Sequence, residues 1–169
     1  MAAELLVLIV LPALLAAAAG WDLASFTIPN FLQIALIGSF AVFVVATGMA
    51  PAAIGGHLLA GFVGLVAGFA LFALGYIGGG DAKLFACVLL WLGFRNLLDY
   101  ALVASLLGGF LTLGILAVRQ MPLPALFAGQ SWIARLHDAK SGIPYGVALA
   151  AGAFVILPQT EIFRIASTL

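Results

Sequence analysis

A chain of 169 residues that is 66% hydrophobic and 7% charged, with a mean hydropathy of +1.30, lies far outside the range of soluble domains, in which about a quarter of residues are charged. Its apolar runs are helix-length and lack the alternation of a membrane barrel, so the expected fold is all-α, a single membrane-embedded domain over residues 1–169. Six basic and six acidic residues give no net charge and no basic cluster, which excludes a nucleic-acid partner.

The first predicted span covers residues 5–20, with Pro12 as a tolerated kink site. It ends in Ala16 to Gly20 like a secretory signal, but only Glu4 precedes it and no positive charge does, so it is read as a span. Residues 21–30 connect it to the next helix, with Trp21 suited to an interface and Pro29 to a first helical turn. Span 2 covers residues 31–47. A turn containing Gly48, Pro51, Gly55 and Gly56 leads to His57, which has no second ligand nearby and reads as an interfacial histidine.

Span 3, residues 58–77, carries Ala60, Gly64 and Gly68 at four-residue spacing, a stripe that permits close helix packing. After Gly78-Gly79-Gly80-Asp81-Ala82-Lys83 comes the uncharged run 84–94, only 11 residues, where a hydrocarbon core asks for about 20. This fourth span crosses only if Lys83 and Arg95 snorkel to opposite interfaces or if its helix starts in a water-accessible cavity. Cys87 within it has no CxxC companion, so neither a disulfide framework nor a zinc-thiolate site is expected, and no metal site at all.

Span 5 covers residues 100–118, with Arg95 and Asp99 before it reading as an interfacial ion pair. In residues 119–142, Leu123, Leu126, Phe127, Ile133 and Leu136 repeat at roughly helical spacing, which predicts a loop with an interfacial helix. Span 6, residues 143–158, leaves a tail with Glu161 and Arg164. About six transmembrane helices result. The loops after spans 1, 3 and 5 then share one face and hold Lys83, Arg119, Arg135 and Lys140, so that face is cytoplasmic and both termini lie outside.

Two complete crossings separate Asp22 from Asp81, which brings both carboxylates to the same face. Each is expensive in so apolar a chain, and an ionisable group at the edge of a span is a functional hypothesis. The plainer reading of Asp81 is an N-cap after a glycine turn. A close pair of carboxyls cannot both ionise cheaply and shares a proton: the ionised member activates water while the protonated one polarises a peptide carbonyl. The pair titrates as a unit, with a helix N-terminus favouring the charged form of Asp81. Glycines before Asp81 permit close approach of a backbone. Lys83 reads as a contact to substrate or anionic lipid, or as a snorkelling anchor.

The string Gly78 to Lys83 resembles the GxGDxK signature of the type IV prepilin peptidases, membrane aspartyl proteases. Asp22 followed by Pro29, within a segment ending in Ile28-Pro29-Asn30, resembles that family's first-aspartate segment. Residues Arg135-Leu136-His137-Asp138-Ala139-Lys140-Ser141-Gly142-Ile143-Pro144-Tyr145-Gly146 resemble its C-terminal segment, especially in the short Tad/Flp-type enzymes. The resemblance implies Asp22 and Asp81 as catalytic residues, with Gly78, Gly80, Lys83 and Pro29 binding substrate or supporting the site. It further implies removal of the short basic leader from prepilins or pseudopilins at the cytoplasmic face of a bacterial inner membrane, with the lipid bilayer as the other partner and without a cofactor.

Two features depart from the family. Ala24, Ser25 and Phe26 stand where it often carries basic residues, and the single cysteine does not supply the domain that longer members use for N-methylation, so cleavage without methylation is expected. Two rival readings are a small proton- or cation-coupled transporter using the same acids, and a non-catalytic pilus or secretion assembly subunit in which both acids are caps.

Overall fold

The computed structural model describes residues 1–124 and 129–168, which form helices and no strand. Eight helices are named here: α1 (Ala2–Ser25), α2 (Asn30–Thr47), α3 (Pro51–Ala73), α4 (Gly79–Leu92), α5 (Leu97–Arg119), α6 (Ser131–His137), α7 (Tyr145–Ile156) and α8 (Glu161–Thr168). Four of them, α1, α2, α3 and the helix containing α5, are long and apolar enough to cross a membrane. A fifth span results if α7 and α8, bent by 60° at their junction, count as one.

Local sequence explains where the helices start and stop. Pro12 does not kink α1 sharply; the helix instead opens into one π-turn at Leu6–Val10 just before it. Such a turn is the kind of local rearrangement that accommodates an interrupted hydrogen-bond ladder. The helix then continues past Gly20 to Ser25, so Asp22 stands in its last turn and not, as expected, in a connecting loop. It stops at Phe26, whose backbone is left-handed at φ 56° and whose N–H donates to the Asp22 carbonyl.

Asn30 opens α2 behind an extended Pro29, and Gly48 closes it with φ 60°, a conformation that costs glycine little. Pro51 then starts α3 at the position where a missing N–H is harmless. His57 therefore lies inside α3, where it is buried, and not in the turn before it.

The core is organised around α4, nearly all of whose side chains are buried. At 14 residues it is about 21 Å long, too short to cross alone, and its apolar character comes from being wrapped by other helices. The small-residue stripe makes this possible. A Cβ built on Gly68 would stand 3.0 Å from the Ala82 Cα, and one on Gly64 2.6 Å from the Leu89 Cδ1 and 3.3 Å from the Ala86 Cα.

Further along the same contact, Gly61 meets Leu90, and the ring of His57 lies against Gly93 while its Nδ1–H donates to the Leu90 carbonyl at 2.8 Å. Trp91 locks the other side, donating to the Leu36 carbonyl at 2.9 Å between Phe40 and Phe43. Tyr100 of α5, fully buried, stacks on Phe85 and donates to the Leu149 carbonyl of α7. Outward faces carry Phe62, Val66, Phe69, Leu102, Leu106 and Phe110, all exposed. So continuous an apolar exterior is a lipid-facing surface.

Successive long helices run in alternating directions, which gathers the end of α1 and the starts of α2, α4 and α7 at one end of the bundle. The opposite end holds the start of α1, with α8 packed against it. Within residues 119–142, where an interfacial helix is expected, the described residues hold the short helix α6; Leu126 and Phe127 fall outside them. Arg95 and Asp99 do not form the expected ion pair among the described residues. They line a polar cavity of about 500 Å³ with His57, Gln159, Glu161 and Arg164, at the end away from Asp22.

Candidate active site

Three helix ends meet around a cavity of about 400 Å³ lined by Asp22, Phe26, Tyr76, Gly78, Asp81, Gly142 and Tyr145, among others. Asp22 arrives on the last turn of α1 and is only 4% exposed. A carboxylate there faces the negative end of its own helix, so nothing about α1 itself favours it. The compensation comes from α7. The N–H of Gly146, in that helix's first turn, donates to Asp22 Oδ2 at 2.7 Å, and the positive end of α7 points at the acid.

Gly146 has to be glycine for this. A Cβ at this position would lie 2.8 Å from Asp22 Oδ2 and 2.9 Å from Ile28 Cδ1. Either the carboxylate, which holds the hydrogen bond, or the tip of the isoleucine would have to shift.

Asp81 sits at the third position of α4, 8% exposed. The N-cap is Gly78 and not, as expected, Asp81, whose Oδ2 instead reaches back from the third position to accept from the Gly78 N–H at 3.2 Å, which occupies one oxygen. Oδ1 is buried without a hydrogen-bond partner among the described residues. An uncompensated carboxyl oxygen in such a place is costly. Because both acids face backbone N–H donors, a helix N-terminus no longer distinguishes Asp81 as the ionised partner.

Around the two aspartates, the segments carrying Gly80, Pro29 and Lys83 are joined by packing and hydrogen bonds. Gly80 lies against Ile28, whose Cβ would be 3.3 Å from a Cβ on the glycine, and the Ile28 Cδ1 and the Asp22 carboxylate both lie beside Gly146. Pro29 sets the extended entry that brings Asn30 to the top of α2, where Asn30 Oδ1 accepts from Lys83 Nζ at 2.9 Å. Lys83 therefore ties the Asp81 segment to the Ile28-Pro29-Asn30 turn. Gly78 leaves room for the Asp81 carboxylate, 3.0 Å from where its Cβ would be.

Sequence reasoning missed the fixing of the third wall. Arg119, used there only to judge orientation, donates through Nε to the Leu136 carbonyl at 2.9 Å and through Nη2 to the Gly142 carbonyl at 2.8 Å. It thereby holds α6 and the approach to α7 against the end of α5. Arg135 reaches the Ala24 carbonyl at the end of α1, a favourable place for a cation. The only advance signal for either was a basic residue beside a helix terminus.

Residues 9–113, more than half of the chain, match the type IV leader peptidase family. That stretch holds both aspartates, the turn at Ile28 to Asn30 and the string Gly78 to Lys83, while the Gly142 to Gly146 wall lies beyond it. Comparisons with curated proteins and with solved structures found no match. The apolar exterior and the helix lengths make this a membrane protein, and a match that reaches across both carboxylates makes it a peptidase by descent: the chain belongs to the type IV leader peptidase family.

Proposed function

We propose that this protein is an aspartyl endopeptidase that removes the short basic leader from Flp-type prepilins or pseudopilins, using Asp22 and Asp81 as one acid-base pair. The observation that carries the reading is the convergence of two nearly inaccessible carboxylates from distant helices on one cavity. Two such groups in a desolvated space retain one proton between them.

Chemistry follows from that shared proton. The ionised carboxylate takes a proton from water, whose oxygen adds to the scissile carbonyl, and the protonated carboxyl donates to the carbonyl oxygen as it gains charge. Collapse of the tetrahedral diol breaks the C–N bond as a proton passes to the leaving amine, which restores the pair. The cavity lies at the end of the bundle that also carries Lys83, Arg119, Arg135 and Lys140. By the positive-inside rule this end faces the cytoplasm of a bacterial inner membrane. Six passes, with α4 and α7 as the short ones and α6 at the interface, fit the alternating helix directions and put both termini outside.

Wild-type protein, Asp22→Asn and Asp81→Asn in membranes, mixed with a Flp-type prepilin and read by the mass of the shortened product, test this. Asparagine keeps both hydrogen bonds to Gly146 and Gly78, so the variants fold and insert, while cleavage falls by roughly 10²–10⁴-fold, the usual worth of a positioned acid or base. Cleavage persisting in either variant makes that aspartate a cap and ends the mechanism.

A further inference from the structure

The face of α4 turned away from the dyad borders a second, chemically different space. Lys83 lies about 200° around the helix from Asp81, and from it a groove of about 490 Å³ descends between α2 and α3, which are joined by a tight turn but diverge. That volume is in the range of specific small-molecule sites, about 300–1,000 Å³. Its walls are apolar, with Ile37, Phe62 and Leu65 prominent, and no acidic residue lines it. Lys83 is its one charged group, and Nζ spends one of three donors on Asn30.

One turn below Asn30 along α2 lies Gln33. It is 5% exposed, it lines the groove, and neither its amide nitrogen nor its amide oxygen has a partner among the described residues. A buried amide left unsatisfied on both atoms opposes folding, which points to an occupant able to bond it. From rim to floor the groove presents a cation, then an amide about 4.5 Å deeper, then hydrocarbon. A glycerophospholipid presents phosphate, ester carbonyls and acyl chain in that same order.

We propose that this groove holds one anionic glycerophospholipid, its phosphate on Lys83, an ester carbonyl accepting from the Gln33 amide nitrogen, and one acyl chain along Ile37, Phe62 and Leu65. The Gln33 oxygen accepts from water of the hydrated ester region. A peptide helix is the weaker occupant. A chain being cut at the dyad would have to pass around α4 to reach a groove on its other face.

Native mass spectrometry of the purified full chain in mixed micelles with equal phosphatidylglycerol and phosphatidylethanolamine reads the bound mass directly and needs no cleavage, so its outcome is independent of the peptidase reading. Wild type is expected to keep one phosphatidylglycerol. Lys83→Gln reduces the preference over phosphatidylethanolamine about fivefold, the size expected of one basic residue at an anionic lipid surface. Gln33→Leu and Ile37→Trp, the second simply filling the groove, both lose the lipid. Gln33→Leu also raises the melting temperature of the delipidated protein, since it removes the unsatisfied amide, and this separates lost binding from misfolding.

Wild type that keeps no lipid, or keeps both lipids equally, overturns the proposal, as does Ile37→Trp that retains the lipid. Displacement of the lipid by a leader-bearing apolar peptide, with Ile37→Trp blocking that peptide, overturns it also and gives the groove to the substrate.

Discussion

A single absent methyl group decides how α7 meets Asp22. Gly146→Ala forces either the carboxylate or Ile28 to move, and a displacement near 1 Å at a reacting group is worth about 10²-fold in rate. The neighbouring Gly142→Ala is the control: a Cβ there meets nothing within 4 Å, so its kcat/KM is expected to stay near that of wild type in the same leader-cleavage assay. The pH profile carries a second prediction. The proposed mechanism, with one proton shared by Asp22 and Asp81, requires a bell-shaped dependence of kcat/KM, with activity lost on the acid side when both carboxyls are protonated and on the alkaline side when both are ionised. A single sigmoid across that range would mean that one residue acts alone. Asp22 and Asp81 were legible in the sequence because an acid is conspicuous in so apolar a chain. Gly146 was not, since it is one of 20 glycines and its partner is 124 residues away. Arg119 was hidden for a related reason, because its acceptors are backbone carbonyls and leave no mark in the sequence.

At the level of helices, the Ala60, Gly64, Gly68 stripe was readable as a packing surface from its spacing, but spacing names no partner. Its register on α4 makes Gly68→Val a severe change, since the branched side chain pushes against the Ala82 backbone. A loss of about 1–3 kcal/mol, the usual cost of overpacking, is expected. Gly55→Ala on the same helix meets open space and gains about 0.5–1 kcal/mol from helix propensity. Melting curves in one detergent distinguish the two. Arg119→Ala releases α6 and Gly142 together and is expected to lower cleavage at least as much as it lowers the melting temperature, whereas Arg119→Lys, able to reach one carbonyl but not two, falls between. Helix boundaries were the less legible part. Gly20 reads as a stop, yet the residues after it continue the helix to Ser25, and only the left-handed turn at Phe26 ends it. The shortness of α4 was visible, but its cause, burial on every side, belongs to the assembled bundle.

Across the whole molecule, charge divides between two ends, and labelling tests the orientation. With Cys87 buried, Lys140→Cys is expected to react with an impermeant maleimide only from the cytoplasmic side, and Gln159→Cys only from the opposite side. The reverse pattern would invert the topology. Register between α3 and α4 adds something further. Gly79 lies level with Phe72 and Gly93 with His57, so α4 begins beside the end of α3 while α3 overhangs it at the far end, where the polar cavity lies. Between that cavity and the dyad stand Leu84, Val88, Leu89 and Trp91, all essentially inaccessible. These four residues form an insulating plug: they span about 10 Å of α4, with no chain of polar groups through them among the described residues. Liposomes carrying the protein should therefore hold a pH gradient as long as empty ones do. Faster decay, abolished by Asp81→Asn, would turn the plug into a gate and the protease into a transporter.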